Sequence, residues 1–324
     1  MADRRLQIFH AVARHLSFTK AADALFMTQP AVTFQIKQLE EQYATRLFER
    51  RHGSIALTPA GELAYEYAGR ILALNDEMDQ RLGELTGEMR GALLVGASTT
   101  IAEFLLPRVL GEFNALYPQV RARLIVGNSE TIENQVAANS LDVGLIEAPG
   151  KLATLASQVC CVDELQVICA PDHPLAHSRH LSASELVDYE FISREPGSGT
   201  REITDAYFSA QGIAPERLKT QMELGSPEAL KGVVATGLGF SIVSRAVAEK
   251  EILHGTLVGI PLNPILQRDL HLIHPRDRFQ SKLLTTFISF ARRTLAQAFS
   301  VARRLLWDDC FSPPPCPHLA CAAR

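Results

Sequence analysis

Near its start the chain places apolar residues at helical spacing. Leu6, Phe9, Val12, Ala13 and Leu16 predict a first helix that packs beneath two others. Ala21, Ala22 and Leu25 line one side of a short second helix, which Ser17 can cap. Phe26-Met27 closes it. Thr28 caps a third helix, where Pro30 is tolerated because the amide hydrogen it lacks would be unpaired in a first turn anyway. Along that helix, expected over 29–41, Val32, Ile36 and Leu39 form the core side, while Thr33, Phe34 and Lys37 lie away from it. Two short helices joined tightly, the second with long polar side chains near its start, are the pattern of a helix-turn-helix. Leu47-Phe48, the basic run around Arg50, Arg51 and His52, and the strand-like 54–57 predict a β-hairpin wing.

The period changes at Thr58-Pro59. Leu63, Tyr67, Ile71, Leu74, Met78, Leu82 and Leu85 recur every three or four residues, predicting one long helix over 59–85 with a coiled-coil-like seam. A single apolar stripe of this length, next to a small head, needs a partner. Beyond Gly91 strands and helices alternate. Strands are expected at 93–96, 120–126, 141–146, 165–170, 189–193, 240–243, 257–261 and 270–273, with helices at 131–138, 200–210, 227–236 and 281–299 and a further one through Phe104 and Phe113. That order predicts parallel α/β structure.

Composition narrows the classes. The 324 residues are 47% hydrophobic and 21% charged, an ordinary soluble balance with room for two or three domains. No apolar run is long enough to span a bilayer, and the start lacks an apolar signal core, so a cytoplasmic protein with no membrane partner is expected. The six cysteines are then expected to be thiols. Overall charge is −4, yet residues 1–58 carry eight Lys/Arg against five Asp/Glu, a net +3 that leaves −7 for the rest. Positive charge thus sits on the segment that has the recognition pattern.

Residues 28–40 (Thr28-Gln29-Pro30-Ala31-Val32-Thr33-Phe34 and onward), then Arg46-Leu47-Phe48-Glu49-Arg50 and Leu57-Thr58-Pro59-Ala60-Gly61, resemble the signature of LysR-type transcriptional regulators. The resemblance extends more loosely over all but the last two dozen residues. It implies a winged helix-turn-helix over 1–58, a linker and dimerisation helix over 59–90, and a two-lobed effector domain over 91–299 like that of periplasmic solute-binding proteins. The first lobe would take about 91–162 and 266–299, and the second about 163–265. The tail, 300–324, holds the Pro-rich run 312–317 and is expected to be disordered. The resemblance further implies a homodimer or homotetramer, an interrupted palindrome in double-stranded DNA as target, and contact with RNA polymerase.

On the DNA side Gln29, Pro30, Thr33 and Phe34 would face the major groove. Gln29 suits adenine, Thr33 a base edge, and Phe34 a thymine methyl. Ser17, Thr19, Thr28, Gln35 and Lys37 suit phosphates, and Arg50, Arg51 and His52 the minor groove or flanking backbone.

The α/β part carries strand-to-helix turns rich in small hydroxyl residues. Ser98, Thr99 and Thr100 form one; Gly199, Thr200 and Arg201 end a second; Ser226 opens a third. Free backbone N–H groups, hydroxyls and a positive dipole end coincide there, which favours a small oxyanion. The same hydroxyls would also serve as plain helix caps. If the lobes face each other as the resemblance implies, the turns line one cleft, and no cofactor beyond such an effector is expected. The Gly-Ser-Gly-Thr-Arg stretch also resembles the branch that includes Calvin-cycle and sulfur-assimilation regulators.

Enzyme readings find little support. Residues 197–201 lack the P-loop ending, Gly96-Ala97-Ser98 lacks the second glycine of a nucleophile elbow, and Pro174 breaks the helix that His173 and His177 would need to hold zinc. Cys310, Cys316, His318 and Cys321 fit no common ligand spacing, and vicinal Cys160-Cys161 reads as buried thiols.

Overall fold

A computed structural model describes residues 4–51, 54–85, 89–277 and 280–309. The chain divides into two compact units, Met1–Glu88 and Met89–Arg324.

In the first unit α1 (Arg4–His15), α2 (Phe18–Ala24) and α3 (Gln29–Gln42) precede a hairpin of β1 (Phe48–Arg51) and β2 (Ser54–Leu57), followed by α4 (Pro59–Leu85). Ile8, Phe9 and Val12 meet Ala21, Val32, Ile36, Leu39, Leu47 and Phe48 in one core, as the spacing predicts. The wing is held by side chains as well as by packing. Glu40 Oε1 accepts the N–H groups of Leu47 and Phe48 at 2.8 and 3.2 Å, so the acid at the far end of α3 fixes where the hairpin begins. Thr58 donates its hydroxyl to Arg46 O at 2.7 Å and accepts from Gly61 N at 3.0 Å, capping α4 as expected.

In the second unit β3 (Gly91–Ser98) enters a single π turn, Ile101–Leu105, and α5 (Leu106–Leu116). β4 (Val120–Gly127), α6 (Ser129–Ala137) and β5 (Val143–Ile146) complete the first lobe's parallel strands, and β6 (Leu155–Cys169) leads out of it. α7 (Ala183–Leu186), β7 (Glu190–Arg194), α8 (Gly199–Ala210), β8 (Lys219–Leu224), α9 (Pro227–Val234), β9 (Phe240–Ser244) and α10 (Arg245–Leu253) build the second lobe. β10 (Val258–Pro275) returns the chain, and α11 (Lys282–Asp309) packs on the first lobe through Leu283, Phe287 and Leu295.

All eight strands of this unit join one sheet, in the order β4-β3-β5-β10-β6-β9-β7-β8. β3 pairs in parallel with β4 and β5, and β7 with β8 and β9, while β6 and β10 run antiparallel between the two parallel halves. The lobe changes expected at 162/163 and 265/266 therefore fall inside two long paired strands, where Asp163 stands opposite Arg268.

Several expectations are corrected. The strands at 257–261 and 270–273 are one continuous β10 whose pairing with β6 shifts register between Pro261 and Leu266; Pro261 and Pro264 are absorbed in that irregularity. β6 begins ten residues before its expected start because its early side chains alternate poorly. β8 and α10 have no counterpart among the expected elements: β8 is an edge strand with mostly exposed polar residues, which carries no apolar signal. The final helix runs to Asp309 instead of ending at Phe299. Residues 310–324 lie outside the described part, and with them the zinc question. Cys160 and Cys161 are buried thiols as expected. A register shift opposite Leu270 and His271 turns both into the first lobe's core, with sulfurs 3.9 Å apart.

Candidate functional site

In the helix-turn-helix most of the residues expected to meet DNA are exposed. Ser17 Oγ caps α2 by accepting from Lys20 N at 3.2 Å, and Thr28 takes the cap position of α3 without a side-chain cap bond. Thr19, Thr28, Gln29, Pro30, Thr33, Phe34 and Lys37 are exposed, and Gln35 is half-buried. Gln29 Nε2 donates to Thr33 Oγ1 at 3.1 Å, and that hydroxyl donates to Gln29 O at 3.0 Å, so the two base-reading candidates are pre-ordered one helical turn apart. Arg50 and Arg51 lie on β1, but their side chains, like all of His52, fall outside the described residues.

Sequence reasoning missed Phe26. It occupies the turn between α2 and α3 with φ +54° and is 98% exposed. A bulky side chain in the left-handed region costs about 1–2 kcal/mol, and here no packing is gained in return. An exposed, strained aromatic beside the start of α3 is a candidate DNA contact, which Phe26→Gly tests. Phe26→Gly is expected to stabilise the first unit by about 0.5–1 kcal/mol, the relief less glycine's greater unfolded freedom, as read by urea denaturation. It should also weaken DNA binding measured by fluorescence anisotropy; unchanged binding would remove Phe26 from the interface.

In the second unit three of the predicted hydroxyls converge on one carboxylate that the sequence did not single out. Glu147, just past β5, is 2% exposed. Its Oε1 accepts from Ser98 Oγ at 3.1 Å, its Oε2 from Thr200 Oγ1 at 2.9 Å and from Arg268 Nη1 at 2.7 Å, and the Thr100 hydroxyl bonds it too. Ser98 and Thr100 belong to the first lobe and Thr200 to the second. Gly199 makes the approach possible, since a Cβ there would lie 2.6 Å from Glu147 Cβ and 2.9 Å from Ser129 Oγ. Asn128 Nδ2 donates to Pro196 O at 3.3 Å, and Glu130 N to Gly197 O at 3.4 Å, so the start of α6 also meets the loop before α8.

Arg268 lies between two acids. Its Nε donates to Asp163 Oδ2 at 2.9 Å, while Nη2 lies 2.8 Å from the same oxygen but off a hydrogen-bonding direction and without another partner. Ser244 Oγ donates to Asp163 Oδ1 at 2.7 Å. One guanidinium thus faces two carboxyls in a fully buried cluster. Burial pushes Glu147 up, but Arg268, the Thr100 and Thr200 hydroxyls and Arg194 together hold it below the usual carboxylate range. For Asp163 burial prevails over Arg268 and Ser244, and its carboxyl is pushed up. A further anion about 4 Å from ionised Glu147 would meet a repulsion of about 4 kcal/mol at an effective dielectric of about 20.

The other predicted residues point elsewhere. Thr99 Oγ1 donates to Gly127 O at 3.3 Å, and Ser226 Oγ caps α9 by accepting from Ala229 N at 3.4 Å. Arg201 donates to Arg194 O and pairs with Glu223, with Asp205 3.8 Å away, so this guanidinium serves the second lobe's own surface. The arginine whose charge acts on both Glu147 and Glu103, in the first lobe, is Arg194. It is 5% exposed, holds Glu195 through Nε and Nη2, and donates to Gly225 O. Ser198 Oγ, at the start of α8, is buried without a hydrogen-bond partner.

A winged helix-turn-helix on a chain with a two-lobed α/β unit, whose hydroxyl-rich helix starts meet between the lobes, defines a DNA-binding regulator with an effector-binding domain. The sequence matches the bacterial regulatory helix-turn-helix proteins of the lysR family over residues 4–62 and the LysR substrate binding domain over 86–296, and the chain belongs to the LysR family of transcriptional regulators. It is 38% identical over 287 residues to a probable RuBisCO transcriptional regulator of Cyanidioschyzon merolae, covering 87% of this chain and 95% of the relative. It is 33% identical to the HTH-type transcriptional regulator CysL of Bacillus subtilis, covering 89% and 95%. Among solved structures, the Synechocystis PCC6803 CcmR regulatory domain in complex with 2-PG is 29% identical, covers 64% of this chain and 98% of its own, and superposes with a TM-score of 0.59. A full-length OxyR variant of Pseudomonas aeruginosa, 20% identical with 90% and 93% coverage and a TM-score of 0.66, shares the fold. The resemblance to the Calvin-cycle and sulfur-assimilation branch agrees with these names.

Proposed function

We propose that this regulator acts in the cytoplasm as a homodimer or dimer of dimers, binds an interrupted palindrome near a promoter, and responds to a small oxyanion held between its lobes. Binding of that anion changes the relation of the lobes, and through it DNA bending and contact with RNA polymerase. Such coupling requires the anion to favour one conformation over another. The observation that carries the reading is that Ser98, Thr100, Thr200 and Arg268, drawn from both lobes and the crossing strand, already hold a carboxylate. The CcmR regulatory domain in complex with 2-PG supports a small-molecule ligand for this unit. Among the described residues no helix is long and apolar enough to cross a membrane. The exposed stripe of α4 supports self-association.

The test is a thermal-shift series on the full chain with 2-PG, inorganic phosphate, sulfate and small carboxylates, repeated on Thr200→Val, Arg194→Gln and Arg201→Ala. One anion is expected to stabilise the parent, by about 2.7 kcal/mol at 100 times its dissociation constant. Thr200→Val and Arg194→Gln should lose most of that shift. Arg201→Ala should respond like the parent, because its guanidinium is spent on Glu223. No shift with any anion, and no change in DNA affinity, would end the anion reading.

A further inference from the structure

The donors on which that reading depends are already taken. Glu147 brings its own carboxylate to Ser98 Oγ, Thr200 Oγ1 and Arg268 Nη1 at 2.7–3.1 Å, with no water-sized separation, and bonds the Thr100 hydroxyl as well. Chemically this is a bound anion tethered to the end of β5. Two buried donors nearby in sequence or structure are not fully used: Ser198 Oγ, one residue before Gly199, has no hydrogen-bond partner, and Arg268 Nη2 has only its off-direction ion-pair contact with Asp163. Charge forbids simple addition. Arg268 already faces Glu147 and Asp163, so a second oxyanion beside an ionised Glu147 would crowd two negative groups and the Asp163 carboxyl around one guanidinium.

We infer that Glu147 is a tethered occupant of the effector position, and that a small carboxylate or phosphate enters by exchanging with it. The inference rests on the proposed anion reading. Glu147 leaves as a carboxylate, exposed to water, and the arriving oxyanion takes over the three hydroxyls and Nη1 of Arg268; no proton or covalent bond changes hands. Exchange also releases an interlobe tie. Thr200, in the second lobe, is bonded to the first lobe through Glu147, alongside the backbone ties at Asn128 and Glu130. A tether supplies a high effective concentration of the competing group, so Glu147 would raise the level of effector needed for response.

The experiment uses the full chain, Glu147→Ala and the isosteric Glu147→Gln, titrated with acetate and inorganic phosphate at constant ionic strength. Melting temperature and affinity for a DNA fragment selected in vitro by the parent are both followed. Glu147→Ala is expected to melt lower than the parent and to regain stability saturably with acetate. Its half-saturation should lie at least tenfold below any parent response, with Glu147→Gln showing the same shift in weaker form. Folded variants that respond to acetate and phosphate no more than the parent would overturn the inference; if Glu147→Ala does not fold, Glu147→Gln alone decides in the same way. The two readouts keep the proposals apart. Acetate that refills Glu147→Ala without altering DNA binding upholds the tethered occupant and sinks the effector reading. A parent whose DNA affinity answers an anion, with variants that gain nothing, does the reverse.

Discussion

Replacing Arg268 by methionine is expected to destabilise the effector-binding unit by about 3–5 kcal/mol at neutral pH. The arginine is fully buried and pairs with Glu147 at 2.7 Å and Asp163 at 2.8 Å. Methionine fills much of the volume but leaves two buried carboxyls facing each other with no cation between them. In a unit of this size each kcal/mol is worth roughly 2–4 °C, so the loss should be plain in a melting curve. The pH dependence identifies the cause. In the parent, Glu147 is held below the usual carboxylate range, so its contribution is present above its unfolded pKa and fades as pH falls through the folded one. Asp163, pushed up by burial, has the opposite sign: its contribution is present at low pH and fades as pH rises through its folded value. Without Arg268 both carboxyls are pushed up, so the variant gains stability on acidification and the gap to the parent narrows between neutrality and about pH 5. Adding Glu147→Gln to Arg268→Met removes one orphaned charge and should restore a measurable part of the loss, a coupling of about 0.5–3 kcal/mol. A variant within about 1 kcal/mol of the parent at neutral pH, with an unchanged pH profile, would show that the guanidinium is not what makes these acids tolerable in the interior.

Why Glu147, Arg194 and Arg268 escaped the sequence reading, while Ser98, Thr100 and Thr200 did not, is a matter of range. The hydroxyls announce themselves locally: each precedes a helix whose first amide groups need partners, and a single turn of sequence contains the whole argument. Glu147 and Arg268 are partners across 121 residues, and neither has a neighbour in sequence that explains it. The weak signal available was the place of their charges. Glu147 directly follows the fully buried strand Val143–Ile146, and Arg268 and Asp163 stand in β10 and β6 among buried apolar residues. A charge in such a setting needs a partner or a ligand, and here the two needs point to one place. The pairing of Arg201 with Glu223 escaped that reading for the complementary reason. A helix start with an arginine looks like an anion site, but Glu223 lies on a strand that gave no apolar pattern, so its claim on that guanidinium was invisible. The DNA-binding head was legible almost residue by residue because its core is built from short-range helical contacts. Phe26 is the exception, because an αL conformation leaves no trace in periodicity.

Carrying two glutamates into the α4 stripe, as Ile71→Glu with Leu74→Glu, is expected to leave a monomer and to lower DNA affinity by roughly two to four orders of magnitude. Leu63, Tyr67, Ile71, Leu74, Met78 and Leu82 follow one another at spacings of three and four and are each 47–64% exposed. Six large apolar side chains on one face of a single 27-residue helix have no counterpart to pack against within the described part of this unit, and the same stripe of a second chain is the partner the proposed dimer supplies. In that seam each glutamate would face apolar side chains or its own copy, with burial and like-charge repulsion both opposing association. The helix itself should survive, since glutamate is a good helix former and the positions are exposed in the single chain. Circular dichroism can confirm that. DNA affinity falls because a dimer on a palindrome binds its second half-site at an effective concentration set by the linkage, which a monomer lacks. The dependence of affinity on salt should flatten at the same time, to about half the parent slope, because each binding event then neutralises half as many phosphates. Sedimentation velocity and anisotropy titrations over a range of salt concentrations measure both effects. A double variant that stays dimeric at micromolar concentration, with the parent's affinity and salt slope, would mean that α4 is not the dimerisation element and that its exposed stripe meets something else.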